Sequence, residues 1–331
     1  MRAGRPDAGR PEGAGRGSEG ELTRRTLRTT PDRNAHRRAL VARKDEREVT
    51  MAVDVGRYGI WAREDQLTPE VAAEIERLGF GAIWIGGSPP ADLAHAESLL
   101  AGTGRIAVAT GIVNMWKDPA DAVAASYHRI AERYPDRFLL GVGIGHPEAT
   151  AEYRSPFETI VSYLDELDAA GVPVEGRALA ALGPKVLRVA GERTAGAHPY
   201  LTTPAHTAEA REILGAGPLL APEHKVVLSD DPEHARAIGR PKVVSPYLRL
   251  SNYRRNLLRL GFTEKDLDEA TDPLIDALVG HGTPDAVAAA LTAHLDAGAD
   301  HVCAQILTED GGPGPEYTTA LRALAGALPL R

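Results

Sequence analysis

The chain has a single cysteine among its 331 residues, Cys303, so a disulfide framework within the chain and a multi-cysteine metal site are excluded. A reducing compartment suits this composition, and we predict a cytoplasmic protein. Aromatic residues make up only 5% of the chain, and no apolar run approaches the roughly 20 residues that a membrane-spanning helix requires. A hydrophobic content of 43% with 25% charged residues is typical of a globular protein with a sizeable core.

The first 50 residues differ in composition from the rest of the chain. They hold 13 Lys and Arg against 8 Asp and Glu, although the whole chain carries a net charge of −8. Rich in Arg, Gly and Pro and without hydrophobic periodicity, residues 1–50 are predicted to be disordered, and Met51 suits a start site. Interspersed acids and a lack of aromatics argue against a nucleic-acid-binding arm. Residues 51–331 are predicted to form one domain.

Helix starts recur along the ordered part of the sequence. At six places a Thr or Asp precedes a proline where an amphipathic run begins, and an oxygen-bearing N-cap followed by proline is typical of a first helical turn. Two predicted helices end at a glycine that an apolar strand follows at once, within 76–86 and 295–307. The six starts are Thr68-Pro69, Asp118-Pro119, Thr203-Pro204, Asp231-Pro232, Asp272-Pro273 and Thr283-Pro284.

Short apolar runs lie between the predicted helices. They are nearly continuous in apolar character, which is typical of parallel strands buried on both faces. With a weaker segment at 195–201, eight strands alternate with helices, which predicts an α/β fold, a (β/α)8 TIM barrel with a helical insertion after strand seven, over 240–270. A doubly wound open sheet is the alternative. The other predicted strands are YGIW (58–61), GAIWIG (81–86), RIAVATGIVN (105–114), RFLLGVGIG (137–145), ALAALG (178–183), HKVVLS (224–229) and HVCAQIL (301–307).

The run LLGVGIGHPE (139–148) has the glycine spacing of a dinucleotide-binding loop, but its context is wrong for one. That fingerprint lies between a first strand and its helix, whereas this run is the fourth strand and has His146 in place of the last glycine. Side chains alternate along a strand, so Gly141, Gly143 and Gly145 share one face. Two explanations stay open: tight packing between barrel layers, or room for a flat ring at the carboxy-terminal mouth.

Two strand ends resemble those of the luciferase-like monooxygenase superfamily. TGIVNMWKDP (110–119) and FLLGVGIGH (138–146) look most like the branch that uses coenzyme F420, an 8-hydroxy-5-deazaflavin, and the likeness extends over essentially all of 53–331. The resemblance implies a TIM barrel that binds F420 or, alternatively, FMN at its carboxy-terminal mouth. It also implies a small-molecule substrate and a homodimer, with no metal.

The resemblance assigns roles to particular positions. It implies a non-proline cis peptide at Gly111-Ile112 behind the ring, and it places His146 where related sugar-phosphate dehydrogenases have a catalytic glutamate. An imidazole there can act as general acid or base, or simply satisfy rim carbonyls. The turn ALGPK after strand five either holds the cofactor phosphate or is an ordinary turn with a solvated lysine. The predicted cofactor-binding residues are Ser88, Gly111, Ile112, Asn114, Gly143, Gly145, Gly183, Lys185, Tyr200 and Thr202.

One position departs from the superfamily pattern. Many relatives carry Asp-His or Glu-His after strand two, where this chain has GGSPP (86–90), so a usual catalytic contact is missing. The leading hypothesis is F420-dependent hydride transfer to or from a small organic substrate. An FMN-dependent monooxygenase that uses oxygen and a flavin-binding barrel without catalysis are the alternatives. Four basic residues would suit the oligoglutamate tail of F420, unless the arginines form only a solvated helix face: Lys185, Arg249, Arg254 and Arg255.

Two other enzyme classes find no support in the sequence. A metal-dependent hydrolase barrel needs a His-x-His on strand one, and YGIWARED (58–65) has no histidine. Nucleophilic acyl transfer needs a strained elbow around its serine, and no G-x-S-x-G occurs. Cys303 lies in an apolar run, which is typical of a core cysteine.

Overall fold

The computed structural model of the chain describes residues 53–145 and 155–330. The segment 1–50, the proposed start at Met51 and the predicted catalytic residue His146 therefore lie outside the described residues. Within these ranges, helices alternate with parallel strands from Tyr58 onwards. No helix of the described ranges is long and apolar enough to cross a membrane.

Eleven strands of the described ranges form one parallel sheet. β4 continues β3 beyond Ile112, and β9 continues β8 beyond Ala221 and Pro222, so two pairs each correspond to one barrel strand. β10 is an additional strand, and the other ten therefore correspond to the eight predicted barrel strands. The bounds are β1 Tyr58–Arg63, β2 Ala82–Gly86, β3 Ala107–Gly111, β4 Val113–Asn114, β5 Phe138–Gly143, β6 Arg177–Leu179, β7 Gly196–Ala197, β8 Leu219–Leu220, β9 Glu223–Leu228, β10 Val279–Gly282 and β11 Val302–Ile306.

The two ends of the sheet meet at the stretch 219–228. β8 pairs with β7, while β9 pairs with β11, which is the neighbour of β1. Between them, the backbone N–H groups of Ala221 and Glu223 each donate over 2.9 Å to the carbonyls of Ala197 and Pro199. β8 and β9 together thus form barrel strand seven, which lies between strand six (β7) and strand eight (β11). This arrangement confirms the predicted (β/α)8 TIM barrel.

Helices follow the strands in the order expected for such a barrel. Four of the six predicted N-caps accept a backbone N–H in the first helical turn, namely Thr68, Thr203, Asp231 and Thr283. The bounds are α1 Pro69–Leu78, α2 Ala94–Ala101, α3 Ala120–Arg133, α4 Pro156–Ala169, α5 Pro184–Arg193, α6 Pro204–Leu214, α7 Pro232–Val244, α8 Ser251–Arg259, α9 Glu264–Glu269, α10 Asp272–Leu278, α11 Pro284–Asp296 and α12 Pro315–Ala327.

The other two predicted helix starts are displaced. α3 begins one residue after Pro119, and the Asp118 carboxylate accepts instead from the backbone N–H of Ala91 over 2.9 Å. α10 begins at Asp272 itself, with Thr271 at the N-cap. In both cases the Asp-Pro pair is at the helix start but shifted in register: Pro119 is the N-cap of α3, and Thr271 is the N-cap of α10.

The helical insertion after strand seven is confirmed, over 232–278. It builds a hydrophobic cluster around Leu257, Leu274 and Ile275, which also includes Leu201 and Leu307 from the barrel. The insertion is followed directly by β10, which pairs with β9 and which the sequence pattern did not indicate. A short 3-10 helix at Tyr247–Arg249 within it brings Tyr247 beside Tyr200, which follows β7. The insertion therefore contributes to the carboxy-terminal mouth of the barrel.

The core has two layers, as a barrel requires. Side chains on the outer faces of the strands pack against the helices, while those inside the barrel form a separate cluster. The inner cluster combines the two large rings of Trp61 and Trp84 with small residues on neighbouring strands, a mixture that fills a narrow interior. Its alanines are Ala82, Ala107, Ala109, Ala178, Ala195 and Ala221.

Candidate functional site

Strand three reaches the carboxy-terminal mouth with a cis peptide bond between Gly111 and Ile112, which confirms the bond that the resemblance implied. The chain then continues in β4, where Val113 and Asn114 pair with β5, which is barrel strand four. Asn114 is buried, and its Oδ1 accepts from the backbone N–H of Trp116 over 2.9 Å. This bond turns the chain from the strand end into the following loop.

The indole of Trp61 lies across the ends of strands two and three. Gly86 and Gly111 are register partners there. A Cβ on Gly86 would lie 2.0 Å from the indole ring, and one on Gly111 would lie 2.8 Å from its Nε1 atom. The Nε1–H donates to the Gly111 carbonyl over 3.3 Å. Because both strand ends lack side chains, the ring packs against their backbones, and with 5% of its surface exposed it forms an aromatic floor beneath the mouth.

The glycines of strand four allow a close approach to the end of strand three. A Cβ on Gly141 would lie 1.8 Å from the carbonyl oxygen of Thr110, and one on Gly143 would lie 3.0 Å from the side chain of Ile112. Gly145 has a φ of +62°, beside the Asn114 amide. Protein atoms therefore occupy all three side-chain positions. Close packing, the first of the two explanations, accounts for these glycines, and cofactor binding at Gly143 and Gly145 stays a prediction.

A polar layer of aromatic residues lies deeper in the barrel. The His198 ring stacks on Trp84 at a centroid distance of 4.1 Å, and Trp84 Nε1 donates to His301 Nε2 over 3.0 Å. Burial lowers the pKa of both histidines to about 4, so both are neutral at pH 7. His198 Nδ1 donates to the Ala221 carbonyl over 2.7 Å, which leaves Nε2 as an acceptor with no partner among the described residues.

Tyr200 lies half-buried at the mouth, after strand six. Its hydroxyl donates to Gln305 Oε1 over 2.9 Å and accepts from the hydroxyl of Tyr247 over 3.1 Å. Its ring lies 5.2 Å from the Trp61 ring, centroid to centroid. Burial raises the pKa of Tyr200 well above its usual value, so the hydroxyl stays a donor at neutral pH. The predicted site residue Tyr200 is thus joined to the Trp61 floor.

An ion pair is buried inside the barrel beneath Tyr200. Lys225 Nζ lies 3.0 Å from Glu223 Oε1, and both side chains are at most 1% exposed. The second oxygen, Glu223 Oε2, accepts from the backbone N–H of Leu201 over 3.0 Å. The ammonium also lies 3.9 Å from the centroid of the Tyr200 ring. Burial lowers the pKa of Lys225, and the nearby carboxylate opposes that shift.

The predicted phosphate turn is a helix start. α5 begins at Pro184 with Gly183 at the N-cap, and a Cβ at Gly183 would meet no atom within 4 Å. Lys185 is exposed, and its ammonium lies 3.5 Å from the centroid of the Phe157 ring. Thr202 is buried, and its hydroxyl has no hydrogen-bond partner among the described residues. The turn at Gly183 leaves open space where an anion can approach backbone N–H groups.

The remaining predicted residues lie on loops around the mouth or engage in other contacts. Ser88 follows strand two, half-buried and with a φ of +59°. Arg254 donates to Glu264 and, over 2.8 Å, to Asp268, so surface carboxylates already compensate its charge. Arg255 donates to Ser251 of its own helix over 3.1 Å. The expectation that these two arginines serve an anionic tail therefore loses support.

Several residues of the site were not singled out in the sequence. A weak signal existed for some of them, because a polar residue within an apolar strand must point into the barrel or find a buried partner. Their partners lie on distant strands, so the sequence does not show which of them meet. These residues are Trp61, Trp84, His198, Glu223, Lys225, Tyr247, His301 and Gln305.

Solved structures with the same barrel include both F420 and FMN enzymes. An F420-dependent secondary alcohol dehydrogenase, in complex with an F420–acetone adduct, aligns with a TM-score of 0.64 at 15% identity, over 83% of this chain and 98% of that one. The coenzyme F420-dependent tetrahydromethanopterin reductase from Methanopyrus kandleri aligns at 0.57 and 16% identity, over 83% and 99%. The oxygenating constituent of 3,6-diketocamphane monooxygenase from Pseudomonas putida, with FMN, aligns at 0.60 and 14%, over 83% and 100%.

These identities establish a shared fold. No curated protein sequence matches the chain significantly. Residues 66–170, from before α1 to the end of α4, match the luciferase-like monooxygenase family. That segment includes the cis peptide at Gly111 and the whole of strand four. Residues 66–170 are thus similar to the luciferase-like monooxygenase family, and the described barrel shares its fold with the F420 and FMN enzymes above.

Proposed function

We propose that this chain is a deazaflavin-dependent oxidoreductase that binds the ring of coenzyme F420 at the carboxy-terminal mouth of the barrel. The aromatic floor carries the proposal: Trp61 lies across two strand ends that lack side chains and is bonded to the Gly111 carbonyl. Beside it, Tyr200 provides a hydroxyl network at the same mouth. A flat apolar surface with a few fixed polar groups at its edge suits a conjugated ring.

The residues present fit such a ring. Trp116 Nε1 and Thr202 Oγ1 are buried without a partner among the described residues, and both belong to loops that follow barrel strands. Gly183 leaves open space at a helix start. By contrast, the cavity between Val53 and Phe138, on the amino-terminal side of the barrel, has a volume of about 130 Å³. Cofactor sites usually measure roughly 300–1,000 Å³, so that cavity is too small for a flavin.

Different residues of the chain would bind the phosphate and the ring of the cofactor. The N-terminal turn of α5, at Gly183, would hold the phosphate through backbone N–H groups. Trp61 and the Gly111–Ile112 segment would support the ring from behind, and Tyr200 would border its edge. When bound, the deazaflavin supplies hydride transfer at its C5 atom. His146 stays the predicted acid or base.

The choice of F420 over FMN rests on charge. F420 carries an oligoglutamate tail, which basic side chains near the mouth would favour. Lys185 is exposed at the start of α5, and Arg249 is exposed at the end of the 3-10 helix Tyr247–Arg249. An FMN-dependent monooxygenase is the second candidate, because the 3,6-diketocamphane enzyme with the same fold contains FMN. A flavin-binding barrel without catalysis is the third.

Fluorescence titration of purified protein tests the proposal. We expect F420 to be quenched or shifted with micromolar affinity, and FMN to bind more weakly. Tighter binding of FMN would move the assignment to the second candidate, and no binding of either would refute a flavin site. Tyr127→Phe at the opposite end of the barrel serves as the control variant, because Tyr127 lines the small cavity there and should leave cofactor affinity unchanged.

The predicted homodimer is part of the same proposal. Analytical ultracentrifugation of the purified protein measures it directly. A sedimentation coefficient for a particle of twice the chain mass of 35.2 kDa is the expected result.

A further inference from the structure

Both members of the ion pair between Glu223 and Lys225 contact Tyr200 or the residue that follows it. Glu223 Oε2 fixes the backbone N–H of Leu201, directly after Tyr200, over 3.0 Å. Lys225 Nζ lies 3.9 Å from the centroid of the Tyr200 ring and 5.3 Å from that of Tyr247. Burying both charges has a desolvation cost that apolar residues would avoid, so such a pair is weak evidence of a stabilising role. Its contacts point to positioning instead.

The same ion pair adjoins Gln305. Lys225 and Gln305 are register partners on neighbouring strands, so their side chains leave the sheet on the same face. Gln305 is half-buried and receives the Tyr200 hydroxyl on Oε1, over 2.9 Å. Tyr247 in turn donates to Tyr200. The hydrogen bonds therefore run in one direction, from Tyr247 through Tyr200 to the amide oxygen of Gln305.

This direction fixes the orientation of the Gln305 amide. With Oε1 accepting from Tyr200, the Nε2 group presents two N–H donors, and no described residue accepts from them. Gln305 is half-buried and this group is not fully enclosed, which suits contact with a ligand at the mouth. An amide N–H donates a hydrogen bond to an oxygen acceptor, such as a carbonyl, and makes no hydrogen bond with a hydrocarbon of the same shape.

We propose that Gln305 is a ligand-binding residue that donates its amide N–H to a carbonyl oxygen at the mouth, and that Lys225 and Glu223 are positioning residues that hold Tyr200 to orient that amide. The location of the ligand rests on the function proposed above. Two sources can provide the oxygen: a carbonyl of the deazaflavin ring or a carbonyl of the substrate. Two binding measurements on one set of variants separate these sources.

Four proteins are compared: the wild type, Gln305→Leu, Tyr200→Phe, and the double variant Lys225→Met/Glu223→Gln. The first substitution removes the amide, the second removes the orienting hydroxyl, and the double variant removes both charges without leaving either one unpaired. The first arm measures F420 affinity by fluorescence. The second arm titrates F420-saturated protein with cyclohexanone and with methylenecyclohexane, which has the same shape without the oxygen. Urea unfolding reports the stability of each protein.

If the ring supplies the oxygen, Gln305→Leu and Tyr200→Phe weaken F420 binding about tenfold. If the substrate supplies it, F420 binding is unchanged, and the preference of the wild type for cyclohexanone is lost in both variants. The double variant should show the same loss as Tyr200→Phe while its urea midpoint stays that of the wild type. This pairing separates positioning from folding, since a structural role would move the midpoint.

The proposal is overturned if Gln305→Leu changes neither arm, or if the double variant loses stability and keeps wild-type recognition. Should the double variant not fold, Tyr200→Phe decides alone, because it leaves the ion pair intact. A wild type that does not bind F420 refutes the proposed function. The two probes are then compared on cofactor-free protein, where equal binding of both overturns the Gln305 assignment separately.

Discussion

Trp61 donates its indole N–H to the carbonyl oxygen of Gly111, across a distance of 3.3 Å between two strands of the barrel. This bond fixes a large flat ring against the strand end that bears the cis peptide between Gly111 and Ile112. Strand two contributes Gly86, whose missing side chain leaves the space that the ring fills. The floor of the mouth thus depends on three residues from three strands.

Trp61→Phe should weaken F420 binding about tenfold. The phenyl ring is smaller and has no N–H donor, so the Gly111 carbonyl loses its partner and the floor loses part of its surface. A cavity of this kind also lowers the free energy of unfolding by about 1–3 kcal/mol. Titration at a temperature where both proteins are folded measures the change in affinity. An unchanged dissociation constant would show that the indole is not part of the cofactor site.

Gly141→Ala should destabilise the fold severely. A Cβ at Gly141 would lie 1.8 Å from the carbonyl oxygen of Thr110, and neither strand can move away without breaking the barrel pairing. We expect a loss of about 3 kcal/mol in the free energy of unfolding, measured in urea. Gly326→Ala in α12 is the matched control, because its Cβ meets open space and alanine favours a helix. Equal midpoints for the two variants would refute the close approach of strands three and four.

Gly183→Asp tests the phosphate turn without disturbing the helix. Aspartate is a good N-cap and the position is open, so α5 should form as before. Its negative charge would repel a bound phosphate, and we expect F420 affinity to fall about tenfold or more. Gly183→Asn, a good cap of the same shape without charge, is the control and should bind more tightly than the aspartate variant. Equal affinities would place the phosphate elsewhere.

The stability of the protein should fall as the pH is lowered from about 7 towards 4. Burial lowers the pKa of His198, His224 and His301 from 6.5 to about 4, so the unfolded chain binds more protons than the folded one within that interval. Such a difference makes the free energy of unfolding rise with pH up to about 6.5 and level off above it. Each shift corresponds to a change on the order of 3 kcal/mol.

The variant His301→Gln isolates one of these contributions. Glutamine keeps an acceptor for Trp84 and a donor for the Gly56 carbonyl but does not titrate. Urea unfolding at several pH values should therefore show a shallower dependence on pH than in the wild type. His234→Gln, at an exposed position of α7, is the control and should keep the wild-type slope. Identical slopes for all three proteins would contradict the buried, neutral state of His301.

The sequence predicts the barrel well because its strands are short, apolar and separated by capped helices. Thr68 and Thr283 cap their helices as predicted, since N-capping is a local interaction. Asp118 does not cap, because its carboxylate bonds to Ala91 from another loop. The hydrogen bond to Ala91, which is distant in the sequence, replaces the local N-cap hydrogen bond. The residues around Asp118 do not indicate such a distant contact. β10 was missed for a similar reason, since its pairing with β9 is purely tertiary.

The site was predictable in part. Gly111, Tyr200 and Gly183, which the family resemblance predicts as site residues, lie at the mouth or on its loops. Lys225 and Gln305 were not predicted, because their roles depend on the register between strands seven and eight. The helical insertion, β10 and α11 separate those strands in sequence, and no local pattern specifies which residues become neighbours.

A crystal structure of the protein with F420 bound tests the central claim most directly. We predict that the deazaflavin ring lies at the carboxy-terminal mouth, in contact with Gly111 and bordered by Trp61 and Tyr200, with its phosphate at the first turn of α5. A ring bound anywhere else would contradict the proposed site, as would FMN in the place of F420 when both are supplied at equal concentration.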